Sequence, residues 1–446
     1  MLEDNLPAEF LDTLNSLLGE DGRSRYLESL GRDRVYGLRA NLLKITPERL
    51  HDLMPFLGKP IPWSRDGFYY SAENRPAKSV WYHAGLFYAQ EPSAMLPAAA
   101  AGIEPGHMVL DICAAPGGKT TQAAGYLQGK GLIVSNDISI SRCKPLVKNI
   151  ELSGVTNAIV ICEKPERLSK RFAGFFDRIL VDAPCSGEGM FRKDPEAISS
   201  WSKHKPEACA AIQRGILNKA AEMLKPGGRL AYSTCTFEPC EDEGMIQWFL
   251  DTHKGFYIHH LNHEEMGISG TSIGAGRIWP HLQKGEGHFV CVLGYEGQSL
   301  PTQNTFSSQR NHGIDYFRAF CEEYLTNEIS GDFAVFGESL YRLPEGSLDL
   351  SGIRTVRSGW YLGELKGKRF EPSQAFAMGL SMNDARNVIN FDSNSSEAER
   401  YLKGESFDVQ AGDGWALACV DGYPLGWGKV IGGRMKNKLL KYWIAG

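Results

Sequence analysis

Val181-Asp182-Ala183-Pro184-Cys185-Ser186-Gly187-Glu188-Gly189 follows an apolar run, Phe175 to Val181, that reads as a buried strand. The strand gives way to a carboxylate, a proline-held turn, a thiol and a set of small residues. In open α/β sheets, ligands bind outside the carboxyl ends of the strands. An acid and a thiol at that place point to chemistry. The rest of the chain reads as what supplies this stretch with a cofactor, a second thiol and a substrate.

Strands and helices alternate on both sides of it. His107 to Ile112 is a predicted strand, Cys113 to Thr120 a small-residue turn, and Thr121 to Leu127 the start of a helix. Gly131 to Asn136 is a second strand, closing on Asp137, followed by a helix over Ser141 to Ser153 and a third strand over Ala158 to Cys162. Beyond the opening stretch, Glu207 to Leu224 has helical spacing, with Ala208, Ile212, Ile216, Ala220 and Met223 on one face. Gly227-Gly228 is expected to end it, Arg229 to Ser233 forms a fifth strand, and Gly287 to Gly294 a late one. This alternation predicts an α/β fold, a Rossmann-like parallel sheet covered by helices on both faces.

The two ends differ from this core. Residues 1–75 read as a small α/β unit: a helix over Pro7 to Leu18, a strand over Val35 to Asn41, and a helix opened by the cap Thr46 and Pro47. Arg39 and Lys44 are candidates to face RNA, against the plainer expectation of a solvated surface. The aromatic-rich Trp81 to Ser93 reads as core, before a helical run from Ala94 to Ala101. Gln298 to His312 is polar and aperiodic, a linker. Short strands follow, as in Gly352 to Leu365. A compact β unit then holds Ala416 to Val420 and Leu425 to Ile431 around the hairpin signal Asp421-Gly422. Near the end, Lys429, Arg434, Lys436, Lys438 and Lys441 surround Tyr442 and Trp443. This is either an RNA-facing surface or an ordinary solvated terminus.

A chain of 446 residues is expected to hold about two to four domains. With 42% hydrophobic and 23% charged residues it is globular in composition. No apolar run is long enough to span a bilayer and no leader signal opens the chain, so a cytoplasmic protein is expected. Its ten cysteines are scattered, none in a CxxC pair. That argues against a disulfide framework or a structural metal site and leaves them as buried residues or nucleophiles. A net charge of −5 does not indicate wholesale binding of nucleic acid, but leaves room for a local basic face.

The turn at 113–120 brings backbone close to a ligand at a helix N-terminus. A phosphate-binding P-loop needs glycine where Cys113 stands, so Gly118-Lys119-Thr120 only imitates its end. The dinucleotide pattern fails as well. What survives is Asp137, twenty residues beyond Gly117 at the next strand's end, placed to bind a ribose hydroxyl pair. A nucleoside without pyrophosphate fits such a pocket, and S-adenosylmethionine is one.

Cys185 follows the fourth strand and Cys235, in Tyr232-Ser233-Thr234-Cys235-Thr236, follows the fifth. If the strands are adjacent and parallel, both thiols reach one sheet edge beside the cofactor turn. A thiol pair with a methyl donor has a use. Carbon 5 of a pyrimidine is a poor nucleophile until a thiolate adds to carbon 6. An acid bonding N3, a role for Asp182 protonated or sharing a proton, eases that addition. The target base must leave any stack to enter the pocket.

Asp111-Ile112-Cys113-Ala114-Ala115-Pro116-Gly117-Gly118-Lys119-Thr120, Asp182 to Gly189 and Ser233-Thr234-Cys235-Thr236 together resemble the NOL1/NOP2/Sun family of RNA cytosine-5 methyltransferases. Gln90-Glu91-Pro92-Ser93 and Phe191-Arg192-Lys193-Asp194-Pro195 match as well. The layout resembles the bacterial enzymes of that family that act on small-subunit ribosomal RNA, with an N-terminal RNA-binding unit and C-terminal RRM-like and PUA-like modules. The resemblance implies Cys235 as nucleophile, Cys185 as the thiol that helps release product, and Asp182 at the base. It implies S-adenosylmethionine contacts from Cys113, Ala114, Ala115, Pro116, Gly117, Gly118, Lys119, Asp137 and Asp182. It also calls for an acid after the third strand, where this chain offers Glu163 or Glu166 and no aspartate. RNA contacts are expected at Arg192, Lys193, Arg434 and Lys436. The expected domains are 1–75, a catalytic domain 76–297, the linker 298–312, a small α/β module 313–375 and a PUA-like module 376–446. The substrate implied is 16S ribosomal RNA or the small subunit, with tRNA as the alternative, and the protein is expected to be a monomer. A non-catalytic assembly factor and a thiol hydrolase are the rivals from other classes.

Overall fold

The computed structural model describes residues 6–298, 314–346, 349–440 and 443. The expected linker therefore lies, beyond Gln298, outside the described residues, as do Lys441 and Tyr442.

The centre is a sheet whose parallel strands run β6-β5-β4-β7-β8, with β4 Met108–Asp111, β5 Leu132–Asn136, β6 Ala158–Ile161, β7 Phe176–Asp182 and β8 Leu224–Thr234. These strands are apolar throughout because both faces are covered. Val109 and Val160 belong to one core layer, Leu110, Val134 and Ile179 to the other. The chain leaves β4 for β5 on one side and later returns to β7 on the other. That reversal opens a crevice at the carboxyl ends of β4 and β7. The strand His288–Tyr295 adds antiparallel beyond β8, and Thr355–Arg357 antiparallel beyond β6.

Helix Lys205–Met223 differs from its predicted face. It buries Ala210, Gln213, Ile216, Leu217, Ala220 and Met223, while Ile212 is 54% exposed. A buried glutamine turns the helix, because its amide is used below the catalytic loops. The helix ends at Met223, and Gly227-Gly228 lie inside β8, where the register with β7 shifts.

The N-terminal unit is not one package. Helix Ala8–Leu30, bent at Gly19, packs on the catalytic domain: Phe10 meets Phe191 edge-on at 5.0 Å, and Tyr26 meets Phe237 at 5.5 Å. The small antiparallel sheet of β1 Tyr36–Ala40 and β2 Gly67–Tyr70 is completed by β3 Phe87–Ala89, which lies beyond residue 75. Thr46 caps helix Pro47–Leu53 as its sequence predicts.

Toward the C-terminus, Phe333–Phe336, Ser339–Arg342, Trp360–Lys366 and Arg369–Pro372 form one antiparallel sheet. Val388–Phe391, Gly414–Val420, Tyr423–Ile431, Arg434–Asn437 and Phe407–Asp408 form a second, mixed sheet, in which Val388–Phe391 runs parallel to Gly414–Val420. Asp421 (φ 49°) and Gly422 (φ 85°) make the expected tight turn. Trp443 is buried with Leu152 and Met378 rather than among the lysines. Lys429 and Lys438 instead flank Trp415, at 5.7 and 5.2 Å from its ring.

Candidate active site

Beyond Asp111 the chain turns through 112–117 into helix Gly118–Leu127. Gly117 enters it at φ 110°, a conformation that favours glycine. The helix thus starts earlier than its apolar spacing suggests, and Lys119 sits in its first turn. Its ammonium Nζ lies 2.7 Å from Asp182 Oδ2 at the end of β7. Ser233, paired with Asp182 across β7 and β8, donates Oγ to Oδ1 at 2.9 Å. His288 places Nε2 3.9 Å from that same oxygen.

Burial alone would raise the Asp182 pKa, but Lys119, with the two hydrogen bonds, carries it below the ordinary carboxylate range. Of the two expectations for Asp182, protonated or sharing a proton, the geometry favours the second: an ionised carboxylate that accepts a hydrogen bond from the Lys119 ammonium at 2.7 Å. The proton is on Lys119: burial opposes its charge, and Asp182 more than restores it. Burial and the nearby Lys119 push His288 down to about 3, so its imidazole is neutral.

The two thiols meet as the strand order demands. Cys185 Sγ and Cys235 Sγ are 3.2 Å apart, and the Cys235 amide donates to Cys185 Sγ at 3.3 Å. Both are free cysteines. The hydrogen bond to Cys235, then burial, raises the Cys185 pKa, so it is a thiol. A cavity of about 360 Å³ opens beside Cys185, between Gly187, Met190 and Lys205.

Two buried glutamates, whose carboxyl pKa values burial pushes up, brace these loops from beneath. Glu241 accepts from the Ser186 amide at 3.1 Å and from Gln213 Nε2 at 2.7 Å, and Gln213 also donates to the Pro184 carbonyl. Glu188 accepts from Thr236 Oγ1, the Phe237 amide and Trp201 Nε1. The loops also touch by backbone: a Cβ on Gly189 would come within 2.5 Å of the Gly287 carbonyl oxygen.

On the cofactor side, Asp137 Oδ1 accepts from the Ser139 amide, while buried Oδ2 has no hydrogen bond and is faced by the guanidinium of the exposed Arg142 at 3.4 Å. Asp111 Oδ2 accepts from Thr120 Oγ1 at 2.7 Å and Oδ1 is unpartnered; burial pushes its pKa up to about 7. Buried acceptors beside a helix N-terminus, one without any partner at Asp111 and one faced only by an exposed arginine at Asp137, suit a ligand that brings hydroxyl and ammonium donors, as S-adenosylmethionine does. Glu163, at the end of β6, is buried; it accepts from the Arg354 amide at 3.2 Å and pairs with Arg167 at 2.9 Å. Glu166 is exposed on the following helix.

Comparison with known proteins agrees along the whole chain. Residues 99–294 match the family model of the 16S rRNA methyltransferase RsmB/F. Residues 6–92, 319–380 and 388–445 match the N-terminal, first C-terminal and PUA domains of the RsmF methyltransferase. The ribosomal RNA small subunit methyltransferase F of Erwinia tasmaniensis is 32% identical over 97% of this chain and 95% of its own. The chain belongs to the 16S rRNA methyltransferase RsmB/F family. It is an S-adenosylmethionine-dependent rRNA methyltransferase.

The Shewanella oneidensis protein of the same name is 30% identical over 97% of this chain and 96% of its own. Among solved structures, a methyltransferase homologue from Pyrococcus horikoshii is 30% identical with a TM-score of 0.53, covering 65% of this chain and 99% of its own. NSun6 from that organism, solved with SFG, has a TM-score of 0.58 at 22% identity, covering 66% and 99%, and shares the fold.

Arg192, expected to contact RNA, is turned inward, as are Arg39 and Lys44, for which a solvated surface was the plainer expectation. Arg192 pairs with Glu286 at 3.0 Å, both nearly fully buried, and donates to the Ser29 and Gly285 carbonyls. Arg39 is 2% exposed and donates Nη2 to the Gly118 carbonyl and Thr121 Oγ1, bracing the cofactor turn. Lys44 donates to the Ala84 carbonyl, and burial pushes its pKa down to about 7. Lys193 and Lys436 are exposed; Arg434 is exposed near Asp408. Sequence reasoning gave no role to His288, Glu188, Glu241 or Gln213. The signal for Gln213 was present, as a polar residue in an otherwise apolar helix stripe.

Proposed function

We propose that this protein methylates carbon 5 of cytosine in 16S ribosomal RNA through a covalent bond between Cys235 Sγ and carbon 6 of the base. The observation that carries the reading is the thiol pair, 3.2 Å apart at neighbouring strand ends, beside an ionised Asp182. The relatives' name supports the small-subunit RNA as target.

Cys113 to Lys119, Asp137 and Glu163 would hold S-adenosylmethionine, which supplies an electrophilic methyl group. The Asp182 carboxylate accepts a hydrogen bond from the exocyclic amine of cytosine. Uracil offers a carbonyl oxygen there, so the carboxylate selects cytosine. The Lys119 ammonium is the acid nearest the ring and stabilises the charge that develops as the Cys235 thiolate adds to carbon 6. Carbon 5 then becomes nucleophilic. After methylation its proton must leave and the carbon–sulfur bond must break. The neutral Cys185 thiol can give its proton to the departing Cys235 sulfur while its own sulfur receives the carbon-5 proton; Cys185 is then unchanged, and Cys235, now a thiol, loses that proton to solvent before the next addition.

The test is methyl transfer to ribosomal RNA with two variants. Cys235→Ala loses activity. Cys185→Ala accumulates a protein–RNA adduct, visible as a shifted band on a denaturing gel. Full activity of Cys235→Ala sinks the mechanism. Bisulfite mapping of rRNA and tRNA from a deletion strain decides the substrate.

A further inference from the structure

A second cleft opens where the small N-terminal sheet meets the catalytic domain. Its cavity, about 180 Å³, is lined by Arg34, Tyr36, Tyr70, Glu91, Lys193 and Glu286 among others. Tyr36 and Tyr70 stand directly opposite each other on β1 and β2, with ring centroids 5.7 Å apart. Tyr36 is 37% exposed, although the rest of β1 is buried. Tyr70 is half-buried against the core of the small sheet, and the Tyr36 ring beside it is left open to solvent.

The charges at this cleft are asymmetric. Arg34 and Lys193 are exposed. The acids are already engaged: Glu286 pairs with Arg192, and Glu91 accepts from Ser93 Oγ and from the Ala94 and Glu286 amides. Arg192 and Lys193 both act on Glu286, and Arg34, Arg192 and Lys193 against Glu91 and Glu286 leave one net positive charge beside aromatic faces, the combination that holds single-stranded nucleic acid.

The cleft's position ties it to the reaction. Gln90, which also lines it, lies against Gly118 of the cofactor turn: a Cβ there would be 3.1 Å from Gln90 Nε2. Lys193 closes the segment that begins at Cys185. Glu286 precedes Gly287, which stands against Gly189. The cleft thus shares its walls with the catalytic loops without being part of the catalytic crevice. A target cytosine that enters that crevice must leave its stack, and the neighbouring base loses a stacking partner.

We propose that this cleft is a subsite for a nucleotide adjacent to the target cytosine. Its base stacks on Tyr36 and Tyr70, and its phosphate lies between Arg34 and Lys193. The proposal rests on the RNA methyltransferase reading and adds a site to it. The contact is to a ring face and a phosphate, so it orders the strand with little demand on base identity.

The test uses the full-length protein and ribosomal RNA, with KM for RNA, kcat at saturating RNA and the cofactor Kd measured for Tyr36→Ala, Tyr70→Ala and Tyr36→Phe. Each alanine variant raises KM about tenfold, the effect of losing one stacked base, with kcat and cofactor Kd at wild-type values. Tyr36→Phe behaves as wild type, because the ring face is what acts. Arg34→Ala and Lys193→Ala each flatten the salt dependence of RNA binding by about 0.7 of a logarithmic unit, one phosphate's share. Unchanged KM in both alanine variants overturns the proposal. So does loss of cofactor binding along with RNA affinity, which would mark the tyrosines as packing residues. Absence of methyl transfer by the wild type would instead defeat the parent reading, and RNA affinity of the same variants, from fluorescence anisotropy, would still decide the subsite.

Discussion

Keeping a carboxylate ionised in a buried site requires a partner, and for Asp182 that partner is Lys119. Remove the ammonium and burial is left to act with the Ser233 hydrogen bond to oppose it. Lys119→Met should therefore raise the Asp182 pKa. The sign follows: in the wild type Asp182 loses its charge only below the ordinary carboxylate range, so activity has no acid limb from this group near neutrality. In the variant the limb moves up toward neutral pH, because the carboxylate must be ionised to accept from the cytosine amine. We expect kcat to fall by two orders of magnitude or more, on the scale of a lost transition-state hydrogen-bond donor, with the pH–rate profile at saturating RNA shifted to higher pH. An unshifted profile would mean that Asp182 does not need Lys119. Asp182, Cys185 and Cys235 were legible in the sequence because strand-end acids and thiols have local signatures. The pairing of Lys119 with Asp182 was not, since the helix starts before its apolar spacing does.

At the scale of elements, strand order explains how much could be read. The alternation of strands and helices predicts the parallel sheet, and the adjacency of β7 and β8 brings the thiols together. What failed was the orientation of one helix. Apolar periodicity chose a stripe that includes Ile212, yet the helix buries Gln213 to satisfy Glu241, the Pro184 carbonyl and Tyr232. Periodicity counts apolar residues and cannot weigh a buried amide that completes a network. Two substitutions separate these views. Ile212→Gln should change stability by no more than about 0.5 kcal/mol, as on any open surface. Gln213→Leu should cost about 1–3 kcal/mol by stranding buried polar groups, and should slow catalysis by loosening the turn that carries Cys185. Urea unfolding of both variants, with kcat for the second, provides the measurement. Equal effects at the two positions would contradict the observed helix face.

Across the whole molecule the least legible feature is the docking of the C-terminal half onto the catalytic sheet. Thr355–Arg357 is too short to carry a pattern, and its partner β6 lies far away in sequence. The join matters for the site because the Arg354 amide holds Glu163 at the end of β6. It is fastened by Arg357, which pairs with Glu151 of the helix Ile140–Leu152, also reaches Tyr341 Oη at 3.2 Å, and lies 4.8 Å from the ring of Tyr361. Burial raises the Glu151 pKa and Arg357 opposes that rise. Arg357→Met keeps the bulk and removes the charge, leaving a buried carboxylate alone, a loss of about 3–5 kcal/mol where burial is complete. The penalty depends on pH in a definite direction. With its folded-state pKa raised further, Glu151 favours the folded state below its unfolded value and loses that contribution as pH rises through the folded one. The variant should therefore be far weaker than wild type at pH 8 and closer to it at pH 5, and adding Glu151→Gln should recover much of the loss at pH 8. Unfolding curves at both pH values test this, and a weakened cofactor Kd in Arg357→Met alone would show that the join also positions Glu163. A stability gap that stays constant from pH 5 to pH 8 would mean that the strand is held by its backbone ladder and the ion pair is incidental.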